Sequence, residues 1–229
     1  MLGITAEFLR ICRARDTKAA IDFQNSLRGK LQTRAGHLDP QNLCAFDVSY
    51  DKSTRADFGA AAMVTFPDLR LIEEQTERQQ ADFPYVPGLL AFREGPVILD
   101  LYDRLGVKPD ILLVEGHGVA HPRGFGIASL LGVLLDMPAI GFAKTRLVGE
   151  YNEPGPNKGD SSELLFEGQV VGRALRTRRN VRPVFVSIGH KIGLKQAAEI
   201  VLQCCTRYRL PDPLRRAHGL ANELRRANS

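Results

Sequence analysis

Between Asp110 and Ala143 two short apolar runs, DILLVE and AIGFA, flank a helical pattern from Gly124 to Leu135. Neither run alternates polar with apolar residues, which marks strands buried on both faces. Strand, helix and strand at these lengths make a βαβ unit, so part of the sheet is parallel and covered by helices. Upstream the rhythm differs. Leu43 to Tyr50 (LCAFDVSY) and Phe58 to Phe66 read as strands, and Pro67-Asp68 turns the chain into a third, Leu69 to Gln75. Three strands on short loops imply an antiparallel meander, because parallel neighbours need a long crossover. A meander followed by alternating helices and strands predicts an α/β fold with a mixed central sheet and helices on both faces. The ribonuclease H-like arrangement fits this pattern, and so do others.

The rest of the chain extends the same plan. Ala20, Phe23, Leu27 and Leu31 recur at helical spacing, so residues 1–40 read as a helical lead-in closed by Gly36 and Pro40. Pro87-Gly88 opens a helix running to about Leu105. Phe166 to Thr177 suggests a hairpin turning at Glu167-Gly168, Val184 to Ser187 a strand, and Leu194 to Arg207 and Pro211 to Arg226 two helices. A length of 229 residues suits one domain over 1–229, and an apolar share of 44% supports a substantial core. The longest apolar stretch, Phe125 to Phe142, is broken by Asp136 and Pro138 and reads as helix then strand, not a membrane span. Cys12, Cys44, Cys204 and Cys205 show neither zinc-ligand nor disulfide-framework spacing, and the charged N-terminus lacks an apolar signal region. A reducing cytoplasm is the expected setting. The net charge of +5 is compatible with a polyanionic partner without requiring one.

Several residues break the local pattern. Asp47 interrupts an apolar strand, where a carboxylate needs compensation for lost solvation; a divalent cation, an arginine or capped backbone amides all supply it. Glu115 ends ILLV and faces Gly116-His117-Gly118, at the strand end where open α/β sheets bind ligands, although a plain turn acid fits too. Glu94, in the helix after Pro87, gains weight from these two. Three carboxylates from separated segments could converge on one or two Mg²⁺ ions, and such ions stabilise both the attacking and leaving oxygens of a phosphodiester.

In Pro84-Tyr85-Val86-Pro87 the prolines stiffen the backbone, so Tyr85 is presented on a rigid loop, either as a half-buried turn residue or as a ring that stacks on bases. His121 lies in a Gly-rich loop and His190 follows a strand; both could meet phosphate or satisfy loop carbonyls. His218, on the last basic helix, becomes a ligand only if it meets the carboxylates. Lys144 follows a buried strand at the same sheet edge as Glu115. Arginines cluster at Arg176, Arg178 and Arg179 and again at Arg207, Arg209, Arg215 and Arg216, as a polyanion site requires.

Together, FDVSY, PYVPGLLAFRE, LLVEGHGVAHPRGFGIAS, GFAKTRL, GRALRTR and RLPDPLRRAH follow one another in the order found in endonuclease V. The chain resembles that family from Leu43 to Leu220. The resemblance implies a ribonuclease H-like fold and cleavage of the second phosphodiester bond 3′ to inosine or deoxyinosine, leaving a 3′-hydroxyl and a 5′-phosphate. It implies that Asp47, Glu94, Glu115 and His218 hold the metal, Mg²⁺ with Mn²⁺ as a substitute, and that Lys144 completes the catalytic set. Tyr85 matches the wedge, with Pro84 and Pro87 beside it. Gly88, Leu90, Gly116, Gly118, His121 and Ile127 resemble the pocket for the extruded base, with His190 also on the nucleic-acid side. The expected partners are inosine-containing DNA or RNA, with no membrane, no small-molecule cofactor and a monomeric state.

The chain departs from the family pattern in three places. Glu115 stands where the family usually has Asp, and its extra methylene displaces a carboxylate in a site with narrow geometric demands. Weaker metal binding, a shift toward Mn²⁺, slower turnover or a compensating loop position are the consequences to expect. Ile188 stands where Pro or Val is common, and Leu130 where His is common. The competing readings are another ribonuclease H-like nuclease, indifferent to inosine, and a non-catalytic binder of inosine-containing nucleic acid disabled by Glu115.

Overall fold

A computed structural model describes residues 2–34 and 36–228. Two helices lead in, α1 (Leu2–Ala14) and α2 (Thr17–Leu27), where a single helical segment was expected. The break falls at Arg15, in the left-handed region at φ 57°, and at Asp16, whose carboxylate accepts from the Ala19 amide at 3.0 Å as an N-cap. The meander follows as β1 (Asn42–Asp51), β2 (Ala56–Thr65) and β3 (Leu71–Gln80), all antiparallel. The third strand runs five residues past the expected Gln75. Its sequence, LIEEQTERQQ, lacks apolar alternation because it is an edge strand with little buried surface.

Helix α3 (Leu90–Arg104) starts later than Pro87, because Val86 to Leu89 forms a turn with Gly88 at φ +79°. Then come β4 (Ile111–Glu115), α4 (Ile127–Leu135) and β5 (Ala139–Ala143), the expected βαβ unit with parallel strands. The hairpin is β6 (Ser161–Phe166) and β7 (Gln169–Leu175), which turns at Glu167-Gly168 but has its first arm upstream of the expected start. Strand β8 (Val184–His190) and helices α5 (Leu194–Gln203) and α6 (Asp212–Ala227) complete the chain.

All eight strands form one sheet in the order β3-β2-β1-β4-β5-β8-β7-β6, with β1, β4 and β5 mutually parallel at its centre. This is the expected ribonuclease H-like mixed sheet. Its two faces follow the alternation of strand residues. Cys44, Phe46, Leu112 and Val114 pack with α1 to α4, while Leu43, Ala45, Ile111 and Leu113 pack with α5 and Leu214 of α6. Ala60 and Ala62 of β2 admit α6 closely through Ala217 and Ala221. Among the described residues no helix is long and apolar enough to cross a membrane.

Candidate active site

Strand parity brings the first two acids together. Asp47 continues the series Leu43, Ala45 and Glu115 the series Ile111, Leu113, so both point to the α6 face. The parallel register pairs Phe46 with Val114, which places the two carboxylates side by side at the carboxyl ends of β1 and β4. Helix α6 crosses this face and delivers His218, whose Nδ1 lies 2.6 Å from Asp47 Oδ2. The Asn222 amide donates to His218 Nε2 at 3.1 Å, so the proton of a neutral His218 sits on Nδ1 and is donated to Asp47.

Asp47, Glu115 and His218 each offer a ligand atom within 4.8 Å of the others. Two further observations fit a cation here. Burial and then the Glu115 charge push the Asp47 carboxyl up to about 6, against the opposing pull of His218 and Lys144. Glu115 Oε2 is buried with no hydrogen-bond partner. Two adjoining carboxylates, one with an unmet acceptor, favour a cation that both can share. The longer side chain of Glu115 still brings its carboxylate into this group.

Lys144, one residue beyond β5, places Nζ 2.6 Å from Glu115 Oε1. Glu94 does not join the three-residue group. It belongs to α3, which packs on the opposite face of the sheet, and it is half-buried there. Burial, and then the charges of Asp57 and Asp47, raise its carboxyl well above the ordinary range. Its neighbour Arg93 stacks on Tyr50, with Cζ 3.4 Å from the ring centroid, and meets buried Asp57 at 3.5 Å.

A cavity of about 270 Å³ opens beside the carboxylates, over the carboxyl ends of β4 and β5. Gly116, next to Glu115, forms part of its wall at φ +148°, where an added Cβ would stand 2.4 Å from Ile127. Tyr85, Pro87, Gly88, Leu90, His121 and Ile127 also line it. Tyr85 is 66% exposed, so its ring projects from the loop and is not half-buried. Pro84 lies on the far side of Tyr85, in an adjoining groove. Gly118 is buried and donates its amide to Ser187 Oγ at 2.8 Å, outside the cavity lining. His190 is also turned inward, between the Gln32 amide and Asp136, so it does not reach the cavity.

The cavity includes residues that pattern reading passed over. Gln24, on α2, is fully buried; its amide nitrogen donates to Phe125 O at 2.8 Å and Gly88 O at 3.3 Å, and its oxygen accepts from Arg123 Nε at 2.8 Å. His121 accepts the Arg123 amide at Nδ1 and so donates from Nε2 to the same Gly88 carbonyl at 3.0 Å. Burial, and then the Arg123 charge, push His121 down to about 4. These bonds tie the wedge loop to the His121–Phe125 segment. His117, Thr145, Arg146 and Leu147 are also part of the wall. Only the position of Gln24 within the apolar series Ala20, Phe23, Leu27 hinted at an inward amide.

The arginine clusters divide. Arg176 spends its guanidinium on Glu153 and the carbonyls of Pro154, Gly155 and Val181, and Arg209 donates to the carbonyls of Arg182, Pro183 and Lys144. Arg178, Arg179 and Arg207 are exposed. Leu130 and Ile188 are buried in the two cores.

The endonuclease V family model matches residues 25–219. The endonuclease V of a Roseiflexus species is 45% identical over 200 residues, 87% of this chain and 89% of its own. The crystal structure of endonuclease V from Streptomyces avermitilis is similar at a TM-score of 0.89 and 39% identity, covering 93% of this chain and 95% of that one. The Ciona intestinalis enzyme, solved with a 23mer DNA containing an inosine followed by a ribo-adenosine, aligns at a TM-score of 0.81 and 27% identity, over 93% and 98% of the two chains. With its acidic cluster beside a glycine-walled cavity, and with these likenesses over nearly its whole length, the chain belongs to the endonuclease V family of nucleases.

Proposed function

We propose that this chain is a metal-dependent endonuclease that cuts the second phosphodiester bond 3′ to deoxyinosine in DNA or inosine in RNA, in repair of deaminated purines. The cut leaves a 3′-hydroxyl and a 5′-phosphate. The observation that carries this reading is the adjacency of the Asp47–Glu115–His218 group to the cavity, with Glu115 and Gly116 contributing consecutive residues to the two. The solved Ciona relative bound to inosine-containing DNA supports the choice of base.

Asp47, Glu115 and His218 would hold the ion, with Glu94 close enough to add its charge. Two carboxylates and one imidazole suit Mg²⁺, with Mn²⁺ as a substitute. When bound, such an ion supplies Lewis-acid charge to the phosphodiester and makes water more acidic. Lys144 keeps Glu115 in place and adds a fixed positive charge where the phosphate gains negative charge. The flipped base enters the cavity at a cost of a few kcal/mol, partly offset by Tyr85 stacking in the vacated position. Hypoxanthine lacks the 2-amino group of guanine, so a tight wall of backbone at Gly88 and Gly116 excludes guanine sterically. The enzyme acts as a monomer in the cytoplasm, without a small-molecule cofactor.

The test pairs metal binding with nicking. Asp47→Asn and His218→Ala should lose Mn²⁺ binding by calorimetry and inosine-dependent nicking together, while circular dichroism stays native. Wild-type nicking by Asp47→Asn would remove the cluster from the mechanism.

A further inference from the structure

Resting on that reading, we infer that the groove on the far side of Tyr85 binds the strand 3′ to the cut. The groove measures about 820 Å³, and Tyr85 and Leu90 are shared between it and the base cavity. The sheet order β2-β1-β4-β5 sets three sites in a row along one edge. The cavity lies over β4 and β5, the acidic group between β4 and β1, and the groove under the β1–β2 hairpin. Val48, which follows Asp47 in β1, and Glu94 line the groove, so it opens at the same carboxyl end of β1 as the acidic group. A strand with its inosine in the cavity and its second 3′ phosphate at the acidic group would reach this groove next along the same sheet edge.

The groove's chemistry suits a nucleic-acid strand. Arg15, Lys52, Arg55 and Arg93 line it against Asp82 and Glu94, and Tyr50 and Tyr85 offer ring faces. Arg93 is 8% exposed, stacks on Tyr50 and is ion-paired with buried Asp57, with Nε 3.5 Å from Oδ1. Cations interleaved with aromatic rings hold single strands without reading sequence. The hairpin that presents Lys52 and Arg55 is fixed by Asp51 Oδ1, which accepts from the Ser53 and Thr54 amides at 2.7 and 3.0 Å.

The proposal gives the enzyme a directional footprint, tested with strands carrying one inosine. One set ends a single nucleotide past the cut, a second extends several nucleotides further 3′, and a third is extended 5′ by the same length. The variant is Lys52→Ala/Arg55→Asn, because Arg55 sits at φ 54°, which asparagine tolerates. The wild-type KM should fall roughly tenfold on 3′ extension, as two phosphate contacts allow, and the double variant should lose most of that gain. Lys195→Ala, at an exposed site on α5, should keep it. A gain from 5′ extension instead, or an undiminished 3′ gain in the double variant, would overturn the proposal. Equal cleavage of inosine-free strands would sink the functional reading instead, while the length dependence still decided the groove.

Discussion

Replacing Gln24 with leucine removes a buried amide of similar shape and leaves three polar groups behind. Arg123 Nε loses its acceptor, and the carbonyls of Phe125 and Gly88 each lose a donor. Each neutral bond is worth about 0.5–1.5 kcal/mol net and the bond from the charged arginine about 1.5–3 kcal/mol, with further cost for groups left unsatisfied. The 3.3 Å bond to Gly88 counts least, because that carbonyl keeps His121 and Arg123. Gln24→Leu should therefore destabilise the fold by roughly 3 kcal/mol, shifting the urea midpoint by about 1 M for a slope near 3 kcal/mol/M. Because the same bonds hold both walls of the base cavity, the preference for inosine over guanosine should fall on the order of tenfold in kcat/KM. A double-mutant cycle with Arg123→Leu should show coupling of about 1 kcal/mol or more, since the two share a hydrogen bond. A midpoint shift under about 0.3 M with unchanged base preference would refute the argument.

Lys144→Ala should lower kcat by about 10²-fold with little change in KM, because its charge acts next to the reacting phosphate; unchanged single-turnover rates would rule out that role. Glu115→Asp should alter the Mn²⁺ to Mg²⁺ rate ratio, and identical ratios in both enzymes would mean the methylene has no metal-site consequence. His121 titrates near 4 in the fold and near 6.5 when unfolded, so its contribution is present above pH 6.5 and lost as pH falls through 4. Urea unfolding should accordingly show up to about 3 kcal/mol of acid destabilisation that His121→Gln reduces; parallel pH curves would show the assigned environment to be wrong. Tyr85→Ala should raise KM with an unchanged melting temperature, since the ring is 66% exposed; a lowered melting temperature would mark it as a packing residue.

The central strands were legible because their apolar runs are uninterrupted, and Asp47 and Glu115 stood out against those runs. Their meeting also follows from counting alternate residues on parallel neighbours, once β1 and β4 are known to pair. His218 and Lys144 carried no such local signal; the resemblance to endonuclease V supplied them, and the crossing of α6 and the end of β5 bring them into place. Glu94 comes from α3 and lies outside the three-residue group, although the Asp47 and Glu115 charges both act on its carboxyl. Gln24 was invisible for a different reason. Its partners lie 64 to 101 residues away, and a single glutamine on an amphipathic helix looks like solvated surface. β3 was cut short because an edge strand buries too little surface to impose alternation. Arg176 and Arg209 belonged to basic clusters that suit a polyanion, yet their guanidinium groups are committed largely to carbonyls of the fold.

The most direct test is cleavage of end-labelled strands that differ only in one inosine, with Mg²⁺, with Mn²⁺ or with chelator. The account predicts a single cut at the second phosphodiester bond 3′ to the inosine, dependent on the metal and leaving a 5′-phosphate. Cleavage that ignores the inosine, or that persists in chelator, would contradict it.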